Sequence, residues 1–254
     1  MHSSKRCETF QVALTGGQSV TAQHYFSSVP GVGATFILAH GAGAGQNSAF
    51  MVSCAEALAD RGFDVVTFNF PYTEQKRRLP ARAPVLEACY ASVIHETRLR
   101  VPSARTHLFI GGKSMGGRMA TQLAAADPSV PIAGLVLLGY PFHPPGKPEK
   151  RRDAHLPSVG RPMLVVQGSR DTFGTPGELR PVFDTLVPPA TLHVIEGGDH
   201  SFKVARAGAA GQAAIDISIR DAMARWMIGV MHKSNGLLDP DTGSETTRAN
   251  PAPA

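Results

Sequence analysis

The chain has 254 residues, 43% of them hydrophobic and 18% charged, with 26 Gly and 20 Pro, a makeup that excludes collagen-like, fibrous and wholly disordered proteins. Its net charge of +5 is scattered except at Lys76-Arg77-Arg78 and from Lys147 to Arg152, and neither cluster carries the interleaved aromatics or the motif of a nucleic-acid surface. No apolar stretch is long enough to span a bilayer, and no apolar run follows the basic residues of the N-terminus, so the expected location is the cytoplasm and neither nucleic acid nor membrane is an expected partner.

Phe10 to Phe26, with Gly16-Gly17 between two short apolar runs, reads as an antiparallel hairpin. Thr35 to Ala39 is a buried strand, followed by a helix from Ala49 to Arg61 that stops at Gly62, and by a strand from Asp64 to Phe70 that Pro71 halts. The alternation continues with helix 84–100, strand 106–111, helix 115–126 and strand 134–139. A Pro-rich loop then leads into strand 162–168, helix 176–186, strand 191–196 and helix 212–231. The strands are nearly continuous Val/Ile/Leu runs without polar alternation, as expected when both faces are covered. The expected architecture is therefore one α/β domain over 1–233, a doubly wound three-layer α/β/α sandwich with a mostly parallel sheet, the hairpin appended and no large cap domain. Residues 234–254, rich in Pro, Ser, Thr, Asp and Asn and without periodicity, are expected to form a disordered tail. Cys7, Cys54 and Cys89 have no metal-ligand spacing and suit free thiols in a reducing compartment.

The chemistry concentrates where Leu108-Phe109-Ile110 runs into Gly111-Gly112-Lys113-Ser114-Met115-Gly116-Gly117. A serine between a strand and a helix, with glycines two residues to either side, is the pattern of a nucleophile elbow, in which a strained turn projects the hydroxyl at the carboxyl edge of a sheet. Gly112-Lys113-Ser114 before a helix also resembles the end of a phosphate-binding loop, but that motif needs a glycine five residues before Gly112, where His107 stands. A plain helix-capping serine is the other alternative. The partners decide between them: Gly168-Ser169-Arg170-Asp171 follows one strand and Gly197-Gly198-Asp199-His200 follows the next. Serine, acid and histidine thus occur in the chain order of an α/β-hydrolase triad, each just beyond a strand. His200 is the expected general base, with Asp171 preferred over the adjacent Asp199 as the acid that orients it. His193, inside a strand, reads as a sheet residue.

His40-Gly41-Ala42-Gly43-Ala44-Gly45 directly follows the strand ending at Ala39. Its small residues allow backbone N–H groups to approach an oxyanion, with Ala42 and Met115 as the expected donors. The spacing lacks the G-x-G-x-x-G of a dinucleotide loop. The loop 140–150 is either a rim over the site or a solvated connection; as a rim, its His143, Lys147 or Arg152 would meet a carboxylate or phosphate on a substrate. His40, Gly41, Tyr140 and His143 are the candidate substrate-binding residues. None of this chemistry calls for a metal or cofactor.

The chain resembles the α/β-hydrolase superfamily over about Phe36 to Met231. Within that superfamily, His40 to Gly43, Gly112 to Arg118, Gly139 to Pro148 and Gly168 to Gly174 are similar to the dienelactone-hydrolase-related branch that contains testis-expressed protein 30 and the hydrolase-like domain of the third NSL chromatin-complex subunit. The resemblance implies the fold and a Ser114–Asp171–His200 triad, but no substrate. Dienelactone hydrolases usually carry a cysteine nucleophile, so the serine at position 114 keeps lactone chemistry from being carried over. The resulting expectation is a serine hydrolase that cleaves a small or medium carboxylic ester, or a thioester or amide, through a Ser114 acyl-enzyme. The alternative is a non-catalytic interaction module on the same fold.

Overall fold

The computed structural model describes residues 7–234 and Gly236. The hairpin opens the chain as β1 (Cys7–Ala13) and β2 (Ser19–Tyr25), and then β3 (Ala34–Ala39), α1 (Ala49–Ala59) and β4 (Asp64–Phe68) begin the alternation. It continues through α2 (Pro71–Glu74), α3 (Ala83–Arg100), α4 (Ser103–Thr106), β5 (His107–Lys113), α5 (Met115–Ala126) and β6 (Gly134–Leu138). After a long connection containing a 3₁₀ turn at Leu156–Ser158 come β7 (Met163–Gly168), α6 (Pro176–Phe183), β8 (Thr191–Ile195) and α7 (Gly208–Ser234). The expected tail lies outside the described residues apart from Ser234 and Gly236. Two short helices, α2 and α4, were not anticipated, because four residues are too few to show a helical period.

One eight-stranded sheet carries the order β1-β2-β4-β3-β5-β6-β7-β8. β1 and β2 pair antiparallel, β2 is antiparallel to β4, and every later pairing is parallel. Every residue of β3, β6 and β7 is buried, which explains their unbroken apolar runs: alternate side chains enter different cores, and both cores are apolar. Ile37, Ile110 and Leu137 pack with α3 and α5 through Tyr90 and Met119. Phe36, Phe109 and Val136 pack on the other face with Met51 and Leu58 of α1 and Met223 and Met227 of α7. This is the expected three-layer sandwich.

The strand order also determines where a site can form. From β3 the chain steps to β4 on one side and returns to β5 on the other, so the segments leaving β3 and β5 diverge at the sheet's carboxyl edge and leave a crevice between them. Ala39 pairs with Gly112 in that register, which sets the His40 loop beside the Ser114 turn.

Candidate active site

Ser114 caps α5 with φ 50° and ψ −113°, a conformation costly for any residue with a Cβ. The turn can be this tight because its flanks are glycine: a Cβ on Gly112 would lie 2.3 Å from the Ala39 carbonyl oxygen, and one on Gly116 would lie 2.4 Å from it. The strain puts Ser114 Oγ 2.9 Å from His200 Nε2, and His200 Nδ1 is 2.8 Å from Asp171 Oδ2. A carboxylate only accepts, so Nδ1 carries the proton and donates it to Asp171, leaving the Nε2 lone pair for the serine hydroxyl.

The acid is held independently of its histidine. The buried Asp171 accepts from the Phe173 N–H at 2.8 Å through Oδ1 and from Gln167 Nε2 at 2.9 Å through Oδ2. Gln167 is itself fully buried, donates to the Gly174 carbonyl at 2.7 Å and accepts from the Tyr140 N–H at 2.8 Å. The Phe173 ring lies over His200 with centroids 4.2 Å apart. Asp199, the competing acid, instead accepts from the N–H groups of Ser201 and Lys203 and closes its own turn. His193 stays in β8, as expected.

A cavity of about 800 Å³ opens on Ser114 and His200, with Gly41, Ala42 and Met115 in its wall. Among the described residues neither the Ala42 nor the Met115 N–H has an acceptor outside regular secondary structure, so both can donate to a ligand at the serine. The loop bearing Ala42 is fixed from behind: Asn69 Oδ1 accepts the Gln46 N–H at 2.9 Å, and Gln46 Nε2 donates to the Thr21 carbonyl at 3.1 Å.

Three of the four expected substrate contacts are corrected. His40 is fully buried outside the cavity wall, with Nδ1 2.8 Å from the Gly41 carbonyl and Nε2 accepting the Phe70 N–H at 3.2 Å. Those partners require the neutral Nδ1–H tautomer, and burial, partly opposed by the Gly41 contact, lowers its pKa. Its role is to hold the loop. Tyr140 is also fully buried; its hydroxyl donates to the Arg152 carbonyl at 2.6 Å, and its ring packs on Phe183. His143 turns away to Pro144 O at 2.8 Å and Glu178 Oε1 at 3.2 Å. In each case the polar atoms of a loop ring are taken up by hydrogen bonds within the protein. Gly41 alone of the four reaches the cavity. The Pro-rich loop is a rim at its two ends, where Pro141 and Arg152 line the cavity, whereas Lys147 is exposed.

Sequence reasoning passed over Gln167, Lys113 and Arg118. A glutamine inside an otherwise apolar strand, four residues before the acid, was a readable signal. Lys113 Nζ donates to the His200 carbonyl and sits 4.8 Å from the Phe202 ring centroid, so it holds the loop that carries the histidine. Burial, partly offset by Asp171 and Asp199, lowers its pKa to about 8.

A family model described as an α/β hydrolase domain matches residues 32–227. The chain belongs to the α/β-hydrolase family. Solved structures share the hydrolase fold across most of its length. An α/β serine hydrolase without lid from Xanthomonas campestris is 18% identical, with a TM-score of 0.67 over 87% of this chain and 95% of that one. A dienelactone hydrolase from Anabaena variabilis is 17% identical, with a TM-score of 0.67 over 89% and 99% of the two chains. A protein from Butyrivibrio proteoclasticus solved with ferulic acid bound is 12% identical, with a TM-score of 0.65 over 86% and 99%. As in the lidless relative, no cap domain interrupts the alternation in the described residues, and no helix among them is long and apolar enough to cross a membrane. No three His, Cys, Asp or Glu side chains among them converge as metal ligands would.

Proposed function

We propose that this chain is a serine hydrolase that cleaves carboxylic esters through an acyl-enzyme on Ser114. The observation that carries the reading is the unbroken relay from Ser114 Oγ to His200 Nε2 at 2.9 Å and from His200 Nδ1 to Asp171 at 2.8 Å, opening on a cavity. Ser114 Oγ attacks the ester carbonyl carbon as its proton passes to His200 Nε2, and the imidazolium formed is balanced by Asp171. The carbonyl oxygen becomes an oxyanion that the Ala42 and Met115 N–H groups meet, aided by the N-terminus of α5. Collapse breaks the bond to the leaving oxygen, which takes the proton from Nε2 and departs as an alcohol. Water then repeats the sequence: His200 removes its proton, the hydroxide attacks the acyl carbon, and Ser114 leaves with the proton returned.

The likeness to serine hydrolases supports hydrolysis through an activated serine. A fluorophosphonate probe and a p-nitrophenyl ester series test the reading. Wild type should be labelled and turn over ester, with both lost in Ser114→Ala and turnover falling on the order of 10⁴-fold or more in His200→Ala. Absence of labelling in wild type, or labelling that persists in Ser114→Ala, would remove the assignment.

A further inference from the structure

The cavity straddles the sheet edge, and its two sides differ in how their cations are satisfied. On the α1/α7 side, Arg220 donates to Ser53 Oγ at 2.9 Å and shares the wall with Asp216, while Lys203 is exposed to solvent. On the α3/α5 side stand Arg118 and Arg152, both half-buried and both lining the cavity. Arg118 follows Ser114 by four residues, and its N–H donates to the Ser114 carbonyl at 3.1 Å, so it lies one helical turn beyond the nucleophile on the same face. Side chains of a helix lean toward its N-terminus, which aims Arg118 back toward Ser114.

Neither guanidinium has the partner that its charge calls for. Arg118 Nε is buried and has no hydrogen-bond acceptor, and Arg152 Nη1 reaches only the Pro141 carbonyl, at 3.4 Å. Among the described residues no carboxylate lies within ion-pair distance of either: Asp153, the nearest in sequence to Arg152, pairs with Arg151, and Glu87 acts on Arg118 only at longer range. The two cations also repel each other; burial, and after it the nearby Arg118 charge, lower the Arg152 pKa. Two desolvated, unpaired, mutually repelling guanidinium groups beside a nucleophile are costly unless an anion completes them, and the planar fork of arginine matches the oxygens of a carboxylate or phosphate.

We propose that Arg118 and Arg152 together bind an oxyanion, a carboxylate or a phosphate monoester, carried by the ester on which Ser114 acts. That the ligand is an ester rests on the hydrolase activity proposed for Ser114; the anion site does not. Its test is therefore a binding measurement on the full chain carrying Ser114→Ala, which turns nothing over. Calorimetry with monomethyl glutarate, methyl phosphoglycolate and neutral dimethyl glutarate should show one of the anionic ligands binding about tenfold or more tightly than the neutral one. The tighter of the two anions separates the carboxylate from the phosphate source. Arg118→Gln and Arg152→Gln should each remove most of that preference, and Arg118→Lys should keep part of it; a purely structural role would weaken neutral and anionic ligands alike. A thermal melt verifies that each variant is folded, and if Arg118→Gln does not fold, Arg152→Gln and Arg118→Lys decide. Equal binding of neutral and anionic ligands, or a preference that survives in both glutamine variants, overturns the proposal. Fluorophosphonate labelling of wild type is scored separately, so labelling without anion preference rejects this site alone, and anion preference without labelling rejects the hydrolase reading alone.

Discussion

Gln167 is the residue on which Asp171 leans most directly, since one amide joins the carboxylate, the Gly174 carbonyl and the Tyr140 backbone. Gln167→Met keeps the volume but leaves buried polar groups unpaired, so it should cost about 1–3 kcal/mol in urea unfolding. Ester turnover should fall with it while Ser114 remains labelled; unchanged stability would show that the amide is dispensable. Lys113 makes a pH-dependent prediction. Its folded pKa of about 8 lies below its ordinary lysine value, so between the two the unfolded chain binds more protons than the folded one. The contribution of this residue to stability therefore rises with pH from about 8 toward 10.4. Urea melts of wild type and Lys113→Met across that window should show the wild type gaining relative to the variant as pH increases. A gap that moves the other way would mean that the ammonium is stabilised where it lies.

At the scale of elements, the site is a junction of β3 and β5 with the loops that leave them. Gly111, just before the turn, has its N–H and carbonyl both engaged by the Tyr90 hydroxyl of α3, at 2.9 and 2.6 Å, so the helix behind the sheet anchors the strand that presents the nucleophile. On the other side of the turn, Gly116 lets α5 close against β3. Gly116→Ala would push a methyl to within 2.4 Å of the Ala39 carbonyl oxygen and 2.8 Å of the His40 carbonyl oxygen, both backbone atoms that cannot swing away. The expected result is a loss of about 1–3 kcal/mol in stability. Because the displaced backbone leads directly into Ala42, a larger loss of ester turnover than of labelling is also expected. Turnover and melting at wild-type levels would show that the two elements are not in contact as described.

For the whole molecule, the sheet belongs to both cores, so the two faces should unfold together. Met227 is fully buried among Phe36, Phe109 and Val136 on the face opposite α5. Met227→Ala should cost about 2–5 kcal/mol through its cavity. Trp226 fluorescence, which reports on the ring packed 6.1 Å from Phe109, and Ser114 labelling should be lost in one shared transition. Two separate midpoints would show that the faces are independent. The sequence by itself determined the alternation of strands and helices, the turn at Ser114 and the order Ser114, Asp171, His200, because apolar periodicity, glycine spacing and chain order are local or one-dimensional properties. Only the tertiary structure decided which polar groups face the cleft. His40, Tyr140 and His143 stand in loops flanking the site in sequence, yet each is satisfied by hydrogen bonds within the protein, whereas Arg118 and Arg152, 34 positions apart, both line the cavity with no carboxylate within ion-pair distance among the described residues. A side chain's direction depends on hydrogen-bond partners supplied by other elements, and those partners come together only when the sheet has been assembled.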